Sequence, residues 1–279
     1  MMIYIKRLIS CTILISFLST VHAASYKKDL LKAADTEANG EYVRGKFVSL
    51  MGKTFTDSEQ KKILVIGDSH AQDFINMVYE GGYFDEYQVK TRHIPTHCQV
   101  DLKKGHEENI DEKFQTLCKE SDSLYKAQDQ VKQADIIILV ANWKLWSAED
   151  LPATIEAMHL TANQQLIILG RKSFGRVNLR KLLRKSRESL LSYRNHVDRV
   201  QEEINQLMKS TLSEDIYVDF QKTICEESNR CPLFTDDLKL ITFDGGHLTK
   251  NGAAYIGKIL FKDTLLKELL DLDEEVESN

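Results

Sequence analysis

The chain has 279 residues, 42% of them hydrophobic, and its 3 prolines and 13 glycines are too few for a low-complexity or collagen-like protein. That length accommodates one large domain or two small ones with a core of ordinary size. The formal net charge of −5, spread over stretches of mixed sign, argues against a nucleic-acid binder, which carries a basic excess.

Read from its start, the chain opens like an export signal. Lys6 and Arg7 are the only charged residues ahead of an apolar stretch from Leu8 to Leu18, and Val21-His22-Ala23 supplies a small-residue cleavage site. The stretch is too short for a membrane span, which needs about 20 residues. "LISC" mimics a lipoprotein box, but Cys11 precedes most of the apolar stretch and is not expected to carry a lipid. Residues 1–23 are therefore expected to be a signal peptide cut after Ala23, leaving a periplasmic or secreted protein.

Residues 24–60 are polar, with an amphipathic stretch, "EYVRGKFVSLMG", that reads as a helical lead-in. Five apolar, β-branched runs follow: "KILVIG" (62–67), "YQVKTRHI" (87–94), "ADIIILVAN" (134–142), "QLIILG" (165–170) and "DIYVDF" (215–220). Several are nearly continuous, as in strands buried on both faces. Helical candidates lie between them, among them "HAQDFINMVYEGG" and "SLLSYRNHVDRVQEEINQLMKS", and "AAYIGKILFKDTLLKELLDL" closes the pattern before an acidic tail at 266–279. The alternation predicts an α/β fold over 61–265, a three-layer sandwich around a mostly parallel sheet of about five strands. No internal repeat or dividing linker interrupts it.

Beyond Cys11 there are four cysteines, Cys98, Cys118, Cys225 and Cys231, an even number that suits two disulfides in an exported chain. Of the three possible connectivities, proximity in sequence favours Cys98–Cys118 and Cys225–Cys231. No pair has the short spacing of a zinc knuckle, and no metal or cofactor is expected.

Ligands of such a sheet bind at the carboxyl ends of its strands. Ser69, in "GDSH", follows the first run; Asn142 ends the third; Asp244 and His247, in "FDGGHLTKNGAAY", lie after the last. A serine between strand and helix can present its hydroxyl, with its own N–H among the unpaired donors of the helix start. The same position also suits a helix cap, filled by either Asp68 or Ser69. A loop Asp-x-x-His softened by two glycines can let the carboxylate orient the imidazole, whose other nitrogen then takes a serine proton.

"GDSH" after the first strand, together with the late "DGGHLT", resembles the SGNH (GDSL-type) hydrolase superfamily, in particular the SGNH domains found fused to membrane sugar O-acyltransferases. The likeness spans residues 60–262, sharp at both ends and thin between. It implies Ser69 as nucleophile, His247 as general base, Asp244 as its orienting acid, and the Ser69 N–H as part of an oxyanion hole. "CEESNRCPLFTDDLKLITFDGGHLT" also resembles those domains, which implies the Cys225–Cys231 bridge. Two departures stand out. The superfamily places a glycine after its second strand, where this chain reads "IPTHCQV", and its third block is Gly-x-Asn-Asp, where this chain reads "VANWKLW". Asn142 is then the expected side-chain donor to the oxyanion, with Trp143 and His70 lining the substrate pocket.

The expected activity is hydrolysis of an acyl ester on an O-acetylated surface glycan through an acyl-serine. The alternatives are O-acyl transfer with a separate membrane acyl-donor protein, and a non-catalytic glycan-binding domain of the same fold. A metallophosphoesterase is disfavoured by the lack of Gly-Asn-His or Gly-His-x-His blocks. A monomer is the default, with an acylated glycan and a membrane acyltransferase as the candidate partners. His93, His97 and His106 read as surface histidines near a disulfide. The basic run at 171–187 reads as a solvated helix face that could also border the strand ends and meet an anionic polymer.

Overall fold

The structure is a computed structural model that describes residues 26–102, 106–225 and 229–270. The expected signal peptide and residues 271–279 of the expected tail lie outside that range.

The five apolar runs form one parallel sheet: β1 (Lys62–Gly67), β2 (Gln88–His93), β3 (Ile136–Val140), β4 (Gln165–Leu169) and β6 (Tyr217–Val218), in the order β2-β1-β3-β4-β6. Alternation along each strand builds two cores. Ile63, Val65, Ile136, Ile138, Val140, Ile167 and Leu169 face one side, and Leu64, Ile66, Ile137, Leu139, Leu166 and Ile168 the other. The first side is covered by α1 (Thr36–Leu50), α2 (Ser69–Gly81) and α7 (Lys250–Asp263), through Phe47, Phe74, Ile256 and Leu260. The second is covered by α3 (Gln128–Gln133), α4 (Leu145–Glu149), α5 (Leu151–Ala157) and α6 (Arg199–Thr211), through Val131, Ala148, Leu151, Ile204 and Met208. These are the three layers expected of such a sequence. No helix of the described residues is long and apolar enough to cross a membrane.

Two helical expectations need correction. "SLLSYRNHVDRVQEEINQLMKS" is not one helix: a short helix, Arg187–Leu191, gives way to β5 (Arg194–His196), and α6 begins only after Asp198. Asp198 caps it, accepting from the Gln201 amide at 3.0 Å, and β5 pairs antiparallel with β7 (Arg230–Pro232), which carries Cys231. The final helix stops at Asp263 because Thr264 is extended (φ −136°, ψ 179°) and starts a separate short turn.

The sheet order has β1 flanked by β2 on one side and β3 on the other, with the chain reversing direction of travel between them. The crevice at the carboxyl ends of β1 and β3 is the switch point where open α/β sheets bind ligands. Ser69 and Asn142 emerge on its two sides.

Candidate active site

The junction of β1 and α2 explains why "GDSH" reads as it does. A Cβ on Gly67 would sit 1.8 Å from the Val140 carbonyl oxygen, so only glycine lets β1 end this close to β3. Asp68, almost fully buried, caps α2 by accepting from the His70 amide at 2.9 Å. Its two oxygens also accept from the Asn142 amide at 3.1 and 3.0 Å, and from the Thr96 hydroxyl at 2.6 Å. One carboxylate therefore holds the ends of β1 and β3 and the loop after β2. Because Asp68 does the capping, the Ser69 hydroxyl is left for another partner.

That partner is His247. Its Nε2 lies 2.9 Å from Ser69 Oγ, and its Nδ1 lies 2.6 Å from Asp244 Oδ2. The loop that carries them is built from its own sequence. The Asp244 Oδ1 accepts from the amides of Gly246 and His247, both at 2.8 Å. Thr242 Oγ1 accepts from the Gly245 amide at 2.9 Å and donates to the His247 carbonyl at 2.6 Å. Gly245 has φ +99°, and a Cβ there would meet the Gly175 oxygen at 2.0 Å, so this position too is closed to other residues. The Phe243 ring stacks on the imidazole at 5.9 Å.

Burial opposes ionisation of Asp244, but the hydrogen bonds from the His247 side chain and amide, the charge of His247 and the Gly246 amide outweigh it and hold its carboxyl down to about 2. An ionised Asp244 fixes the tautomer: His247 Nδ1–H donates to Asp244, and Nε2 is free to accept from Ser69. Serine, imidazole and carboxylate thus form a hydrogen-bonded chain that can draw a proton off Ser69.

Beside the triad lies a cleft of about 250 Å³ lined by His70, Asn142, Arg171, Lys172 and Arg176, among others, and of the three triad residues Asp244 lines it. Asn142 borders this cleft, and its side chain makes no hydrogen bond to any described residue. His70 also lines the cleft but is almost fully buried and held neutral, its pKa lowered by burial and then by Lys172, His247 and Arg171. Trp143 does not line the pocket. Strand alternation sends it, with Leu139 and Ala141, into the second core, where it is fully buried and donates from Nε1 to the Leu169 carbonyl at 2.8 Å.

No glycine follows β2, and the loop there is held by polar side chains instead. The buried Gln99 donates to the carbonyls of Thr96 and Asn142 and accepts from the Lys144 amide at 2.9 Å, which ties the loops after β2 and β3 together. Cys98 beside it is bridged to Cys118, and Cys225 to Cys231. His97 stacks on Phe114 and the half-buried His93 meets Phe47, while the side chain of His106 lies outside the described residues. Among the described residues no three of His, Cys, Asp or Glu are grouped so as to hold a metal ion.

The basic run at 171–187 is only in part the solvated face expected. Its one complete helix, Leu179–Leu182, has four residues. Arg171 and Arg176 reach the cleft rim, whereas Lys172 is buried and paired with Asp73 at 2.6 Å. That pair escaped the sequence reading, as did the multiple role of Asp68. The available signal was an Asp one helical turn after the serine.

Comparison with known proteins extends this picture. The family model described as "SGNH domain (fused to AT3 domains)" matches residues 36–262. Among solved structures, the periplasmic domain of the lipopolysaccharide acetyltransferase from Salmonella ser. Paratyphi A superposes with a TM-score of 0.58 at 17% identity, covering 85% of this chain and 97% of that one. At that identity the likeness shows a shared fold. Among curated protein sequences none matches this chain.

Proposed function

This chain belongs to the family of SGNH domains found fused to AT3 domains, and on that footing we propose that it catalyses acyl transfer through an acyl-Ser69 intermediate. The observation that carries the proposal is the continuous chain Ser69–His247–Asp244 at 2.9 and 2.6 Å, with the capping role taken by Asp68. His247 Nε2 removes the Ser69 proton as Oγ attacks the acyl carbonyl carbon. The oxyanion is held by the Ser69 amide at the start of α2 and by the Asn142 side-chain amide. Imidazolium, paired with ionised Asp244, then returns the proton to the departing alkoxide as the acyl–oxygen bond breaks. In the second half an acceptor hydroxyl repeats the sequence in reverse and frees Ser69.

With water as acceptor the enzyme is an esterase of O-acylated glycan; with a sugar hydroxyl it is an O-acyltransferase. The family's habit of fusion to AT3 domains favours the second acceptor, with an AT3-type membrane acyltransferase supplying the acyl group. Two disulfides fit an oxidising compartment, and we place the protein outside the cytoplasm, in the periplasm or beyond.

The test is to incubate the protein with an aryl acetate, alone and with acetyl-free surface oligosaccharide, and to follow free acetate and acetylated oligosaccharide by NMR and mass spectrometry. Acetylated oligosaccharide formed by wild type and not by Ser69→Ala supports transfer, and acetate release alone supports hydrolysis. Equal turnover by Ser69→Ala would sink both.

A further inference from the structure

The nucleophile and its base are 178 residues apart in sequence, yet their atoms must stay within a hydrogen bond of one another. Ser69 opens α2, and Asp73 lies one turn further along the same helix with its side chain fully buried. Asp73 Oδ2 pairs with Lys172 Nζ at 2.6 Å, and Oδ1 accepts from the Leu248 amide at 3.1 Å. Lys172, 2% exposed at its side chain, also donates to the Gly246 carbonyl. The ion pair thus grips the residue before His247 with its cation and the residue after it with its anion.

Lys172 is itself rigidly rooted. The Arg171 carbonyl accepts from the side chains of Gln201 and Asn205, and Ser173 exchanges both its backbone bonds with Gln221 at 2.9 Å. The Phe174 amide then donates to the Gly245 carbonyl at 2.8 Å. Burying two charges is costly, and an apolar pair of similar volume is often as stable, so stability alone does not explain their presence.

We propose that Asp73 and Lys172 are positioning residues that act through the backbone of Gly246 and Leu248 to hold His247 against Ser69. This rests on the reading of Ser69, His247 and Asp244 as the reacting triad. A misplacement of about 1 Å in such a site can cost on the order of 10²-fold in rate.

The test compares two double variants of the full mature chain. Asp73→Asn with Lys172→Gln removes both charges but keeps an acceptor for Leu248 and a donor for Gly246. Asp73→Leu with Lys172→Met fills the space with no polar contact. Three quantities are read: the melting temperature, the rate of Ser69 labelling by a fluorophosphonate, and the ¹⁵N-detected imidazole resonances of His247, which report its tautomer and exchange. We expect the Asn/Gln variant to label within about tenfold of wild type with the His247 resonances retained. We expect the Leu/Met variant to melt close to the Asn/Gln variant yet label on the order of 10²-fold more slowly, with those resonances broadened. Equal labelling and unchanged resonances in the two would overturn the proposal. Should the Leu/Met variant not fold, the same comparison between Asp73→Asn and Asp73→Ala decides the matter, with loss of the His247 signature expected in the alanine variant only. If wild type itself fails to label, the acyl-serine reading falls, while the imidazole spectra still decide whether the pair holds His247.

Discussion

Replacing Asp68 by alanine should damage both stability and reactivity far more than replacing it by asparagine. The carboxylate, itself almost fully buried, accepts from the His70 amide, the Asn142 amide and the Thr96 hydroxyl at distances between 2.6 and 3.1 Å. Hydrogen bonds to a charged group contribute about 1.5–3 kcal/mol each, and loss of a helix cap about 0.5–2 kcal/mol. These contributions overlap, and partial collapse or entry of water recovers some of the loss. Asp68→Ala is therefore expected to lose about 3–5 kcal/mol. Asparagine keeps one oxygen, which can serve the two amides, while its NH₂ faces Thr96, whose hydroxyl can rotate to accept. That change should cost only about 1–2 kcal/mol. Urea unfolding with linear extrapolation measures both, and fluorophosphonate labelling reads the site. The alanine variant should label about 10²-fold more slowly, because Asn142 and the start of α2 lose their shared support, and the asparagine variant within about tenfold. An alanine variant within about 1 kcal/mol of wild type, or one indistinguishable from asparagine, would refute the claim that Asp68 organises the site.

Trp143→Phe should lose about 1–2 kcal/mol, and Trp143→Ala about 3–5 kcal/mol, in urea unfolding, with the Phe variant's KM unchanged because the ring packs in the core. A raised KM in the Phe variant would return Trp143 to the pocket. The Cys98–Cys118 bridge spans a sequence separation of 20 and the Cys225–Cys231 bridge one of 6. Paired serine substitutions should therefore cost about 3 and about 2 kcal/mol respectively, measured by the same unfolding curves. The pKa of His70 is depressed in the folded state, so the unfolded chain binds a proton first as pH falls below about 6.5. Stability is full above that pH and declines below it by up to about 1.4 kcal/mol per pH unit, and His70→Asn should flatten that slope between pH 6.5 and 5. An unchanged slope would show that His70 takes up a proton while folded.

Much of the fold could be read from apolar runs. Ile63 to Ile66, Ile136 to Leu139 and Leu166 to Leu169 are contiguous because helices cover both faces of the sheet, and each became a strand. The edge strand β6 shrank to two residues of "DIYVDF", because Asp219 already caps a short helix that starts at Phe220, accepting from the Lys222 amide at 3.1 Å. β5 and β7 were missed because three-residue strands carry no periodicity of their own; they form where the chain comes together beside Cys231. The placements of Ser69, Asp244 and His247 were legible because each depends on local chemistry: a glycine forced by a close approach, a carboxylate that caps, a turn that two glycines permit. Trp143 was misread because its neighbour Asn142 faces the cleft, and alternation turns every second residue the other way. The Asp73–Lys172 pair was hidden in sequence, since 99 positions separate its members and a lysine within a basic run looks solvated.

Treatment of residues 24–279 with a fluorophosphonate, followed by intact mass and peptide mapping, tests the central claim most directly. The account predicts a single adduct on Ser69, absent in Ser69→Ala and strongly slowed in His247→Ala. No adduct on folded wild type, or one that persists at the wild-type rate without His247, would contradict it.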